Sequence, residues 1–135
     1  MKRQVSFYIT QFPNFAASLD FCCKLTRKVY LKDQAIAILS NDQQLLFDLD
    51  QALWDQSPSD FIPHHLENKQ LIVANLQQHT PSIILNLKPA SPPPPGNWQH
   101  LLQVVPNAAP LLEQARQQFR DYQQQHYTLK THKIG

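Results

Sequence analysis

The run Gln34 to Leu39, QAIAIL, constrains the fold more than any other part of the chain. It is almost continuously apolar, and a strand with no polar face needs cover on both sides. Upstream, Gln4 to Thr10 alternates as a strand does and holds Val5, Phe7, Tyr8 and Ile9. Asn14 stands where it can cap a helix whose apolar positions, Phe15, Leu19, Cys22, Thr26 and Val29, recur in steps of three and four. Downstream, Ser40-Asn41-Asp42-Gln43 fits a capping box, with serine at the cap and glutamine three residues on. The helix behind it carries Leu45, Leu46, Leu49 and Leu53 on one side. Strand, helix, strand, helix is the order of a parallel sheet built through crossover helices. The expected class is therefore α/β, a mostly parallel sheet with helices on both faces.

The second half adds strands at Leu71 to Ala74 and Ser82 to Leu87. The polar connection Asn75 to Pro81 is too short for a helical crossover, so these two are expected to run antiparallel, or one of them to form an edge. PASPPPPG, within Lys88 to Gly96, reads as a stiff extended loop. Leu101 to Val105 is a further strand, and Asn107 or the residues just after it open a last helix through about Gln125. The tail, Tyr127 to Gly135, carries Lys130, His132 and Lys133. With 135 residues, no internal repeat and no break in composition, a single domain over 1–135 is expected.

Several kinds of chemistry lack their residues. Gly96 and Gly135 are the only glycines, so no phosphate-cradling loop can be built, even on a fold that often carries one. The formal net charge of +2 is too small for nucleic-acid binding over the whole surface, and direct contact with nucleic acid is not expected. No apolar run approaches the roughly 18 to 20 residues that span a bilayer, and MKRQVSFYIT passes straight into a strand. A cytoplasmic protein without membrane contact is expected. None of the six histidines has the spacing of a zinc site, and the one cluster, His64-His65, points its rings to opposite sides of an extended segment. Cys22 and Cys23 are adjacent on a helix, about 100° apart, and read as core thiols. No serine has the flanking glycines of a nucleophile elbow. The expectation is no catalytic residue, no metal and no cofactor, with a small enzyme or nucleotide-binding domain of similar fold as the alternative.

The last helix is more informative. Ala108, Leu111, Leu112, Ala115, Phe119 and Tyr122 gather within an arc of roughly 100°, the stripe a helix turns to a core. Arg116 and Arg120 lie one turn apart on its flank, beside Phe119. That pair fits either a solvated helix edge or the border of an apolar slot for a peptide with acidic residues and a terminal carboxylate. The tail lysines would add to the positive field if the tail folds back.

The segment Leu49 to Leu66, LDQALWDQSPSDFIPHHL, ends a helix at Ser57-Pro58 and continues as a proline-pinned apolar segment, an edge or a surface loop. It resembles the chi subunit of bacterial DNA polymerase III, whose pattern is LD-x-ALW, a polar turn, then F-[VI]-PH-x-L. The first strand, the AIAIL strand and the last helix, with Val105-Pro106 upstream, match that family in the same order. The resemblance implies a mononucleotide-binding-like fold without a nucleotide site. It also implies a non-catalytic replication adaptor in the clamp loader of the polymerase assembly. By resemblance, Trp54, Phe61, Pro63 and His64 face a psi-like clamp-loader subunit, with a repair helicase as an alternative partner at the same surface. Val105, Arg116, Phe119 and Arg120 fall on a pocket for the acidic C-terminal tail of single-stranded DNA-binding protein. This chain has Phe119 where the family commonly has tyrosine, and Arg120 where it has lysine. The region Glu67 to Gln78 is shorter than in the family, and the proline-rich loop replaces a different sequence.

Overall fold

A computed structural model describes residues 3–32, 35–55, 64–67, 70–73, 81–88 and 98–134. Strand β1 (Gln4–Ile9) leads through a short 3-10 turn (Ala16–Ser18) into helix α1 (Leu19–Tyr30). Strand β2 (Ile36–Leu39) and helix α2 (Gln43–Asp55) follow. Then come β3 (His64–Glu67), β4 (Gln70–Val73), β5 (Ile83–Asn86), β6 (His100–Val105), helix α3 (Ala109–Gln124) and β7 (Thr128–Lys133).

The described strands form one sheet in the order β3-β4-β2-β5-β6-β1-β7. Pairing is parallel from β2 to β7 and antiparallel at β2–β4 and β4–β3. The AIAIL strand thus lies well inside the sheet, as its unbroken apolar run requires, with Ile36 and Ile38 fully buried. Strands β4 and β5 do run in opposite directions, but they flank β2 and do not pair with each other. The segment read as an edge or loop supplies β3, an edge strand paired to β4. The tail folds back as β7, parallel to β1 at the opposite edge.

Two apolar layers hold helices to the sheet. On one face Leu45, Leu46, Leu49 and Leu53 of α2 and both α1 cysteines pack on Ile36, Ile38, Leu71, Val73, Ile83, Leu85, Leu102 and Val104. On the other, Ala115 and Tyr122 of α3 pack on Val5, Phe7, Ile84, Leu101 and Val105. Each fully buried leucine contributes roughly 1.5–3 kcal/mol by leaving water. Asn86 and Gln103, paired across β5 and β6, are both buried; Asn86 Nδ2 donates to Gln103 Oε1 at 2.7 Å, and Gln103 Nε2 donates to the Lys88 carbonyl at 2.9 Å. A one-residue slip would strand both amides, so the pair fixes the register.

The caps differ in part from expectation. Asn14 Oδ1 accepts from the Ala17 amide at 2.8 Å, but the turn it caps is the 3-10 segment ahead of α1. At α2 the capping residue is Asp42 rather than Ser40. Its Oδ1 accepts from the Gln44 and Leu45 amides at 3.0 and 3.2 Å, while Ser40 Oγ accepts from Asp42 itself. A carboxylate suits a helix N-terminus better than a hydroxyl, because it meets both the open amides and the macrodipole.

Candidate functional site: an arginine-bordered groove and an exposed edge

The groove lies between α3 and the β1–β7 edge. Side chains alternate on β1, so Val5, Phe7 and Ile9 face α3 while Ser6 and Tyr8 face α1. Beyond Phe7, α3 presents Ala115, too small to fill the space to the strand, and this leaves a cavity of about 500 Å³. Phe7, Ile9, Leu112, Ala115 and Phe119 form its apolar wall, Thr131 of β7 closes one side, and Arg116 and Arg120 stand at the rim. The Phe119 ring packs at a tilt on Phe7, centroids 5.6 Å apart, yet stays half-exposed on its groove side.

The two guanidinium groups are held differently. Arg116 Nη1 lies 3.4 Å from Glu113 Oε2, an exposed ion pair, whereas Arg120 Nη1 donates to the neutral Gln117 Oε1 at 3.4 Å. Arg120 is thus the cation less committed to a neighbour's charge. Three of the residues expected at the pocket, Arg116, Phe119 and Arg120, converge here. Val105 does not line the cavity; it is buried at the end of β6, in the apolar cluster that supports Phe119. Leu112, on the apolar stripe that spacing marked, also lines the cavity, whereas Thr131 is a lining residue that spacing did not mark.

Strand β7 contributes its backbone as well. The Thr128 amide donates to Arg3 O and the Ile134 amide to Ile9 O, so even-numbered residues turn their main chain to β1. By alternation Leu129, Thr131 and Lys133 turn their amides and carbonyls to the sheet edge. Lys133 shares the groove face with Thr131, and Lys130 lies on the opposite face.

At the other edge, Trp54 is 48% exposed on α2 and its ring sits 4.7 Å from that of His64. The His64 side chain is itself almost fully buried, with Nε2 3.1 Å from the Asp50 carbonyl and 3.3 Å from Asp50 Oδ1. Both neighbours are acceptors, so Nε2 carries the proton and donates. Phe47, Asp50 and Trp54 recur at helical spacing along one stripe of α2. His64 pairs with Val73 and Leu66 with Leu71, which puts both on the α2 face of the sheet. Phe47 and Leu66 are 48% and 46% exposed, so with Trp54 they give this edge three uncovered large apolar side chains. Sequence reasoning missed Phe47 and Leu66; the seven-residue step from Phe47 to Trp54, off the leucine stripe, was the available signal. Phe61 and Pro63 lie outside the described residues.

Among the described residues, no three His, Cys, Asp or Glu side chains gather where a metal ion could sit. Both cysteines are buried free thiols, and burial pushes Cys22 up to about 11 and Cys23 to about 12, the opposite of an activated nucleophile. No described helix is long and apolar enough to cross a membrane.

Fold and site together define an α/β protein with an apolar, arginine-rimmed groove at one sheet edge and an exposed apolar patch at the far edge. The chain belongs to the DNA polymerase III chi subunit (HolC) family, whose model matches residues 1–130. It is 22% identical over 146 residues to DNA polymerase III subunit chi of Haemophilus influenzae, with both chains covered in full. It is 26% identical over 137 residues to subunit chi of Pseudomonas aeruginosa, covering 97% of this chain and 96% of that one.

Proposed function

We propose that the chain is a non-catalytic adaptor that joins the clamp loader of the replicative polymerase to single-stranded DNA-binding protein. The observation that carries this reading is the groove: an apolar slot of about 500 Å³ with two guanidinium groups at its rim. An acidic tail ending in proline and phenylalanine fits that chemistry. The terminal ring enters the slot against Phe7 and Phe119, the terminal carboxylate meets Arg120, and the acidic residues meet Arg116 and Lys133. The outward backbone of Leu129, Thr131 and Lys133 offers an extended peptide a strand to pair with.

Such a contact is small and is expected to have micromolar affinity, about −8 kcal/mol. Several tails on one coated strand, met by an adaptor fixed in a larger assembly, raise the effective concentration and strengthen the whole. The psi-like clamp-loader subunit would dock at the Trp54–His64 edge, where Phe47, Trp54 and Leu66 leave apolar surface in water.

Titration calorimetry with a synthetic tail peptide tests the groove. Arg120→Ala is expected to weaken binding about tenfold, the roughly 1.4 kcal/mol of one charged hydrogen bond. Unchanged affinity would overturn the assignment. Phe61→Ala is expected to abolish co-purification with the psi-like subunit while the peptide titration stays unchanged. Recovery of a helicase in place of psi would reassign that edge.

A further inference from the structure

A second cavity lies on the opposite face of the sheet from the groove. Tyr8 of β1, Leu25, Lys28, Val29 and Lys32 at the end of α1, Ile83 of β5, and His100 and Leu102 of β6 enclose about 270 Å³. The strand register brings a third lysine and a second histidine to its mouth. Lys130 of β7 pairs with Ser6 and His132 with Tyr8, so both share the face of His100 and Leu102. Ser6 Oγ lies 2.9 Å from His100 Nε2, and the His132 ring stacks on Tyr8 with centroids 4.8 Å apart.

Positive charge is concentrated here. Lys28 and Lys32 sit one turn apart, Lys130 and His132 approach from β7, and the described lining holds no carboxylate. A helix C-terminus attracts lysines through its macrodipole, which accounts for Lys28 and Lys32 alone. It does not account for a serine-bound histidine, a third lysine and an aromatic stack arriving from three strands. The net charge of +2 averages this face with the acidic residues of α2 and α3 and so conceals it.

The cavity is too small for a cofactor-sized ligand. It can seat one tetrahedral anion, with Lys28 and Lys32 as charged donors and His100, oriented by Ser6, as a third donor. The stacked Tyr8–His132 pair beside it is a flat ring surface of the kind on which unpaired bases lie. Cations and rings continue across β1 and β7 beyond the cavity mouth, which a free small anion would leave unused. A subunit of a DNA polymerase works where template is single-stranded.

We propose that this face is a contact for single-stranded nucleic acid, with one backbone phosphate seated among Lys28, Lys32 and His100 and a neighbouring base on the His132 ring. The contact is independent of the tail-binding groove. It makes the adaptor a weak, sequence-tolerant clip on the strand itself. With one phosphate held by Lys28 and Lys32 and a second by Lys130, log K should fall with log[salt] at a slope of about −1.4, so doubling the salt weakens binding roughly 2.6-fold.

The test is fluorescence anisotropy of a dye-labelled oligothymidylate with the full chain at low salt. Saturable binding with that slope is expected. Lys28→Ala or Lys32→Ala should weaken it severalfold, Lys130→Ala should lower the slope by about 0.7, and Lys28→Glu with Lys32→Glu should remove it. Both lysines are exposed, so the fold survives, and an unchanged melting curve verifies this. Arg120→Ala should leave oligothymidylate binding intact; loss there, with the lysine variants unaffected, would move the contact to the groove and overturn the proposal. Absence of binding at low salt would overturn it too. So would competition by inorganic phosphate or polyglutamate at the concentration where oligothymidylate competes, because the site would then serve a free anion or an acidic protein.

Discussion

Glu113 makes the sharpest test of how the groove recognises an acidic ligand, because it weakens the site that Arg116 borders. Its carboxylate is 3.4 Å from Arg116 Nη1, and both side chains are about two-thirds exposed, at 68% and 65%. An exposed pair of this kind stabilises by roughly 0.5 kcal/mol, and a ligand carboxylate must displace or share it. Two carboxylates on one guanidinium lie about 7 Å apart, and in water they repel by roughly 0.6 kcal/mol before screening. Glu113→Gln removes whichever penalty the ligand meets. Tail-peptide affinity should rise about two- to threefold at low ionic strength. Near 0.15 M, where the screening length is about 8 Å, the gain should fall to about 1.5-fold. Calorimetry at two salt concentrations measures this, with a melting curve to show that loss of an exposed helical carboxylate leaves stability within about 0.5 kcal/mol. An equal or weaker affinity in Glu113→Gln at low salt would refute the claim that the arginine rim reads ligand charge. A gain that does not shrink with salt would show that the change acts through shape.

Other expectations concern the fold and its thiols. Leu49→Ala, at a fully buried site under α2, should cost about 2–5 kcal/mol, read as a lower guanidinium midpoint at constant slope. Asp42→Ala should cost about 1 kcal/mol in the same assay, whereas Ser40→Ala should cost less, since Asp42 is the residue that meets the open amides of α2. Burial holds Cys22 and Cys23 protonated in the native state, up to about 11 and about 12 from an ordinary 9.0. The folded chain therefore binds more protons than the unfolded one above pH 9, and stability falls as pH rises from there toward 11–12. A thiol reagent at pH 8 should accordingly react only at the rate of unfolding, which stopped-flow in increasing denaturant measures.

The core was legible because its residues repeat with the period of the element they occupy. QAIAIL gave an interior strand, and the leucines of α2 gave a buried stripe, since two-sided burial leaves an unbroken apolar run and one-sided burial leaves a spaced one. The edges were harder to read. Strand β7, TLKTHK, has one large apolar residue, because its outer face meets water and its partner β1 already holds the aromatic side chains. Nothing in its own alternation requires a strand; the β1 edge does. The final helix was legible only in part. Phe119 sat on the predicted stripe yet is half-exposed, while Gln118, off that stripe, is buried. Ala115 and Phe119 line a cavity, and a groove wall breaks the correspondence between apolar and buried. The arginines were found by spacing, but Thr131, brought in by chain return, had no local signal. S-x-x-Q at Ser40 matches the capping box, but Asp42, two residues on, offers a charged acceptor to the amides of Gln44 and Leu45, one turn further along.

The strand order gives the adaptor reading its mechanical content. The His64 edge and the groove edge terminate the same sheet on opposite sides. Six interstrand spacings of roughly 4.8 Å separate them by about 29 Å. A psi-like subunit at β3 and an acidic tail at β7 would therefore not compete for space, and neither needs the other to move. Between them lies a sheet whose inner strands are buried on both faces and pinned by the Asn86–Gln103 pair, so it acts as a spacer of fixed length rather than a switch. On this geometry the coupling free energy between the two partners is near zero, and tail affinity measured with the psi-like subunit bound should match that of the free chain within about twofold. A difference of tenfold or more would mean that β3 and β7 communicate, and the gain from joining the two partners would then include allostery as well as effective concentration.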